Sequence, residues 1–140
     1  MRLPLFLILA AASLGAIAQD DAASRTALVI HGGAGVIERE SLDAEAERGI
    51  RAALDAALDA GHAVLASGGS ALDAVEAAVV VLEEEPRFNA GKGAVFNAEG
   101  RHELDASIMF SQDRKAGAVA SVTTVRSPIR LARRVMEQSP

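Results

Sequence analysis

The fold of this chain turns on residues 88–95, Phe-Asn-Ala-Gly-Lys-Gly-Ala-Val. Ahead of them an apolar run ends in Glu83-Glu84-Glu85 and stops at Pro86. Behind them the apolar residues change from a helical period to strict alternation. Gly91 and Gly93 allow backbone conformations closed to other residues and let a second segment come close. A loop of this kind presents backbone atoms, and such loops often serve a site. On spacing alone, the plainer reading is a helix-to-strand connection with two turn glycines.

Upstream, Ala27-Leu28-Val29-Ile30 reads as a short buried strand that His31-Gly32-Gly33-Ala34-Gly35 ends. Ser41 is an N-cap candidate, with Asp43 and Glu45 placed to meet the helix dipole. The helix that follows keeps Ala46, Ile50, Ala53, Ala57 and Val64 near one face, and Ser67-Gly68-Gly69 breaks it. Ser70-Ala71-Leu72-Asp73 resembles a capping box for a second helix. Leu72, Val75, Val79 and Leu82 form its expected core stripe. Alanines and valines fill much of the rest, so this helix is expected to be covered on more than one side.

Downstream, residues 94–97 and 102–110 read as a hairpin about a turn at Ala98-Glu99-Gly100. Leu104, Ala106, Ile108 and Phe110 alternate with Glu103, Asp105, Ser107 and Met109. Residues 116–125 read as a third strand. Ser127-Pro128 is a good N-cap and first-turn pair for a last helix over 129–137. The expected order is strand, two helices, three strands, helix. That order favours an α+β fold with a mainly antiparallel sheet and helices packed on it.

Composition narrows the function. Residues 1–18 read as a signal peptide, with Arg2 at the start, an apolar core over 5–14 and small residues at Ala16-Ile17-Ala18. The apolar run is too short for a membrane span. Residues 19–140 are then one domain, and the location is periplasmic or secreted. The chain has no cysteine, which leaves it no disulfide, no lipoprotein anchor, no cysteine nucleophile and no thiolate metal site. The formal net charge is −5, and loss of Arg2 makes the remainder more acidic. No basic stripe is present, which argues against nucleic acid. His31, His62 and His102 lie too far apart for a local zinc motif.

The chemistry-bearing motifs are individually ambiguous. His31-Gly32-Gly33-Ala34-Gly35 could cradle a phosphate, form an oxyanion loop, or be a tight turn. It lacks the Gly-Lys-Ser/Thr ending of a phosphate loop, and the chain has no Gly-x-Ser-x-Gly elbow. Strand followed by His-Gly-Gly also suggests an amino-acid kinase, but the alternating hairpin argues against its parallel sheet. Glu103 and Asp105 could be paired carboxylates for acid–base work. Solvation or pairing with arginine is the plainer account of them. Arg130, Arg133 and Arg134 read as a solvated helix face.

Taken in order, the blocks resemble a family. They are Val29-Ile30-His31-Gly32-Gly33-Ala34-Gly35, Gly69-Ser70-Ala71-Leu72-Asp73-Ala74-Val75, and Leu82-Glu83 with Pro86 and Phe88-Asn89-Ala90-Gly91-Lys92-Gly93. Glu103-Leu104-Asp105-Ala106-Ser107-Ile108-Met109, Ala116-Gly117-Ala118-Val119-Ala120 and Val135-Met136-Glu137-Gln138-Ser139-Pro140 complete the set. This pattern resembles the plant-type L-asparaginase and isoaspartyl peptidase family of N-terminal-nucleophile threonine hydrolases. Where that family usually has Asp-Gly after the methionine, this chain has Phe110-Ser111, with Arg114 at a usually apolar position. The turn before the third strand is therefore expected to differ.

The resemblance implies the N-terminal part of an αββα sandwich, an α-subunit portion incomplete at its C-terminus. It implies a precursor that cuts itself before a threonine, whose hydroxyl then forms an acyl-enzyme with asparagine or a β-aspartyl peptide. That threonine is expected downstream of Pro140, so no catalytic residue is assigned within this chain. His31, Gly32, Gly33 and Asn89 would support the active site. The backbone carbonyls of Leu82, Glu83, Glu85, Phe88, Ala90 and Lys92 would hold a structural sodium ion, with no organic cofactor. The implied partner is the chain's own β subunit, in an (αβ)2 assembly, with no nucleic acid and no membrane. The alternative is a catalytically inert α-subunit fragment that acts only as a binding partner.

Overall fold

A computed structural model describes residues 26–33 and 42–139. Residues 1–18, the expected signal peptide, together with Ala34-Gly35, Ser41 and Pro140, lie outside the described residues. The elements are α1 (Ala44–Ala66), α2 (Ala71–Glu84), a 3-10 turn (Gly91–Gly93), β1 (Leu104–Phe110), β2 (Lys115–Val122) and α3 (Pro128–Gln138).

Asp43, rather than Ser41, is the N-cap of α1: its Oδ1 accepts the Ala46 N–H at 2.7 Å. Both residue types cap well, at about 1 kcal/mol, so composition alone did not separate them. The helix ends where the Gly69 N–H donates to Val64 O and the Gly68 N–H to Leu65 O. Gly68 supplies the left-handed φ of +82° that this ending requires. Ser70 then caps α2 as its motif suggested. Its Oγ accepts the Asp73 N–H at 3.1 Å and donates to Asp73 Oδ2 at 2.7 Å.

The two helices pack through small residues. Ala53, Ala57 and Gly61 of α1 are buried, as are Ala74 and Ala78 of α2. The expected α2 stripe is therefore corrected. Leu72 and Val79 do pack on the core, but Val75 is exposed. A helix apolar nearly all round leaves its inward face to its neighbours, and α1 takes the alanine side because only small side chains allow that approach.

The strand order is corrected too. Residues 94–97 and 102–110 do not form a ladder; only the bridge Phe96↔His102 joins them. β1 instead pairs with β2, antiparallel, with Ile108 opposite Gly117 and Phe110 opposite Lys115. The turn between them, over residues 111–114, closes with Arg114 at φ +58°, in the stretch where the turn was expected to differ. β1 keeps the expected alternation, with its even-numbered residues turned inward. At the far end the register slips between Leu104 and Ala106. There Asp105 Oδ1 accepts the Ser121 N–H at 2.7 Å, and Ser121 takes φ +54°. Such an irregularity is a bulge in the ladder.

α3 lies across this hairpin. Ile108, Ile129, Ala132 and Met136 form the buried cluster, with Ala106, Phe110 and Val119 packed against it. Close contact is possible because β2 carries Gly117 here. A Cβ at that position would land on the Ala132 carbonyl oxygen. The described residues are α+β, as the pattern suggested, and among them the sheet is two-stranded and antiparallel.

The first expected strand is not one. Residues 26–33 pair with no strand among the described residues, and Val29 is 90% exposed. The segment lies along α1 instead. Leu28 covers Gly61, while Gly32 sits against Leu54 and Phe88. Those helix positions are about 10 Å apart, so the three residues between Leu28 and Gly32 run extended. Apolar β-branched residues give a segment the capacity to be a strand; a ladder also needs a neighbouring edge.

Candidate active site

That extended segment delivers the His31-Gly32-Gly33 turn to the loop after α2. A Cβ on Gly32 would meet the Phe88 ring at 3.0 Å and Leu54 at 3.2 Å. Gly33 takes φ +112°, and its N–H donates to His31 Nδ1 at 3.1 Å. An accepting Nδ1 puts the neutral ring's proton on Nε2. His31, Gly32 and Gly33 are all exposed.

Residues 85–95 fold into a tight succession of turns. The Phe88 N–H donates to Glu85 O, and the Ala90 N–H to Phe88 O at 2.8 Å, which centres a three-residue turn on Asn89. The Asn89 side chain closes the loop, with Oδ1 accepting the Val95 N–H at 2.9 Å. Only the carbonyl end of the amide is used in this bond, and an amide also carries two N–H donors. Asn89 is exposed while its neighbour Phe88 is buried. Of the four residues expected to support a site, Gly32 therefore borders Phe88, the residue next to Asn89.

Backbone carbonyls crowd the two glycines of this loop. Gly91 takes φ +49°, and a Cβ there would strike Glu83 O. A Cβ on Gly93 would strike Phe88 O and approach Pro86 O at 2.5 Å. The carbonyls of Leu82, Glu85, Phe88 and Ala90 each accept one backbone N–H, and a carbonyl oxygen has a second lone pair. The donor set is all oxygen, which suits a hard cation. Among the described residues, no cluster of three or more His, Cys, Asp or Glu side chains could hold a metal. Any ion at this loop would be met by backbone carbonyls, and the crowding of Glu83 O, Phe88 O and Pro86 O about the two glycines is the feature that suits one. The Pro86 carbonyl, which also faces Gly93, was not in the set that the resemblance implied.

The side chains of Glu83 and Glu84 were also missed. Glu83 is 3% exposed. Its Oε1 accepts the Ile129 N–H at 2.8 Å, and its Oε2 accepts the Ser127 hydroxyl at 2.5 Å. It thereby caps α3 from another helix, and Ser127 itself makes no side-chain cap bond. Burial pushes the Glu83 carboxyl up, against these two hydrogen bonds. Next to it, Glu84 receives Arg126 Nε at 2.6 Å and Nη2 at 2.9 Å, and also pairs with Lys92. Arg126, then Lys92, hold its carboxyl down, to about 2. A run of three glutamates reads as solvated, and only the return of residues 126–129 reveals otherwise.

The remaining candidates fall elsewhere. Asp105 is taken up by Ser121, and Glu103 is exposed at the start of β1. Arg133 is not a plain solvated residue: it pairs with Asp73 at 2.7 Å, Glu76 at 2.9 Å and Glu137 at 2.7 Å. No helix among the described residues is long and apolar enough to cross a membrane.

Comparison with known proteins agrees with the pattern of blocks. Residues 24–140 match the family model described as Asparaginase. The chain is 49% identical over 116 residues to an isoaspartyl peptidase of Escherichia coli (strain K12), covering 83% of this chain and 36% of that protein. It is 48% identical over 114 residues to the isoaspartyl peptidase/L-asparaginase of Homo sapiens, covering 81% of this chain and 35% of that protein. A putative isoaspartyl peptidase/L-asparaginase of Dictyostelium discoideum is 48% identical over 115 residues, covering 82% and 33%. The chain spans about a third of the length of these relatives. With a family model covering most of its length, the chain belongs to this asparaginase family.

Proposed function

We propose that this chain is the α-subunit portion of an exported isoaspartyl peptidase/L-asparaginase. The complete protein would hydrolyse β-aspartyl peptides and the side-chain amide of asparagine. A threonine downstream of Pro140, freed by self-cleavage, is the nucleophile. Its hydroxyl attacks the amide carbon while its own α-amino group takes the proton. Ammonia or the peptide amine leaves, and water then cleaves the ester and releases aspartate. The remaining length completes an αββα sandwich and provides the β subunit of an (αβ)2 assembly. The names of the relatives support this reading.

This chain's own part is to shape the pocket. The observation that carries the proposal is the meeting of the His31-Gly32-Gly33 turn with the Phe88-Asn89 loop. The glycines let the precursor segment pass close, and the loop fixes Asn89 near the reacting amide. Sodium, held by the carbonyls of Leu82, Glu83, Glu85, Phe88, Ala90 and Lys92, would supply electrostatic stiffening of the loop.

The test is Asn89→Ala in the complete protein. Release of ammonia from asparagine should fall by about two orders of magnitude, or self-cleavage, followed by mass spectrometry, should slow. Unchanged rates for both would remove Asn89 from the site. Processed wild-type protein that releases neither ammonia nor aspartate would favour the inert-partner alternative.

A further inference from the structure

Glu83 and Glu84 end α2 at the place where the Asn89 loop begins. Each faces two ways. The Glu83 carbonyl oxygen lies against Gly91 of the loop, while its carboxylate receives Ser127 and Ile129 at the start of α3. Glu84 joins Lys92 of the loop to Arg126, one residue ahead of the α3 cap. α3 in turn is seated on the hairpin through Ile129, Ala132 and Met136. The loop is thus tied to the sheet-and-helix layer by two adjacent carboxylates from a third element.

We propose that Glu83 is a positioning residue that holds the Asn89 loop in register with α3 and the β1–β2 hairpin. The proposal rests on the functional reading above for its effect on catalysis, but not for the coupling itself. The buried carboxylate has two acceptor oxygens and both are used, so α3 cannot shift without displacing Glu83. Glu83 cannot shift without moving its carbonyl against Gly91, which has no side chain to yield and a left-handed φ to keep. The loop then moves with Asn89 at its centre. Glu84 adds a parallel, exposed link that salt weakens. Coupling of this kind travels through a contiguous chain of packed groups.

The experiment compares Ser127→Ala, Ser127→Thr and Glu83→Gln in the complete protein. Amide hydrogen exchange is read over residues 86–96, with steady-state kinetics on asparagine. Ser127→Ala removes one of the two bonds without touching the loop, and Ser127→Thr restores the hydroxyl. Ser127→Ala should speed exchange at the Val95 N–H roughly fivefold. It should lower kcat roughly tenfold with KM within about twofold, because alignment rather than binding is lost. Ser127→Thr should recover both, and Glu83→Gln should match or exceed the alanine variant. Unchanged exchange at Val95 in Ser127→Ala overturns the coupling, whatever the rates do. If Glu83→Gln does not fold, the alanine and threonine pair alone decides. If the wild-type protein lacks amidase activity, the functional reading falls and the exchange data still judge the coupling.

Discussion

The α1–α2 pair and the β1–β2–α3 layer are held together by opposite means. In the first, the buried residues are Ala53, Ala57, Gly61, Ala74 and Ala78, and Gly61 lies directly against Ala74 and Ala78, so smallness itself allows the approach. In the second, Ile108, Ile129 and Met136 fill space, and one glycine, Gly117, makes room for them. Small side chains bury little area each, so the helix pair gains from close backbone approach and dispersion. The layer gains from apolar volume. The difference teaches where each half is vulnerable: added bulk harms both, but removed bulk harms only the second.

The sharpest way to break this comparison is Gly117→Ala. Its Cβ would meet the Ala132 carbonyl and the Met136 backbone nitrogen. Both are backbone atoms in one helix, so nothing small can yield. The complete protein should lose about 3 kcal/mol or more in denaturant unfolding, at the upper end for overpacking. A loss below about 1 kcal/mol would mean that α3 is free to slide on the hairpin.

Ala57→Leu tests the helix pair. Ala57 is fully buried, and the added side chain should destabilise by about 2 kcal/mol through overpacking. Should the same measurement show stabilisation, α1 and α2 are not as closely seated as their alanines imply.

The smallest effect is electrostatic and lies between the halves. Hydrogen bonds from Ser70 and Arg133 hold the Asp73 carboxyl below its ordinary value of 3.8. A depressed folded-state value stabilises the fold above the unfolded value, and this stabilisation is lost as pH falls through the folded one. Asp73→Asn should therefore lose a little stability near neutrality, and the gap to wild type should close as pH falls below about 4, leaving the variant with a flatter acid limb. Salt should shrink the difference, because the group is exposed. Identical acid limbs for variant and wild type would remove the Asp73–Arg133 link from the account.

Local signals in the chain fixed much of this. The Ser70 cap, the glycine ending of α1, the Ser127-Pro128 start of α3 and the alternation of β1 are short-range effects of bonding and sterics. So was the presence of a special loop at residues 88–95. Partnership was not local. Residues 94–97 have the composition of a strand and the order of a hairpin, yet residues 115–122 hold the ladder. Residues 27–30 are apolar enough for a strand, yet they lie on a helix.

The same division runs through the site. His31-Gly32-Gly33 and Asn89 were legible as loop chemistry, because glycines and a polar residue among small ones stand out in any chain. The return of residues 126–129 to Glu83 and Glu84 could not be read, because 42 to 46 residues separate the partners. A carboxylate among carboxylates carries no mark of burial. The sequence determined which segments could turn, cap and alternate, since those choices depend on neighbours in the chain. Only the tertiary structure decided that Glu83 is buried and what it holds, since burial depends on what the rest of the fold brings to it.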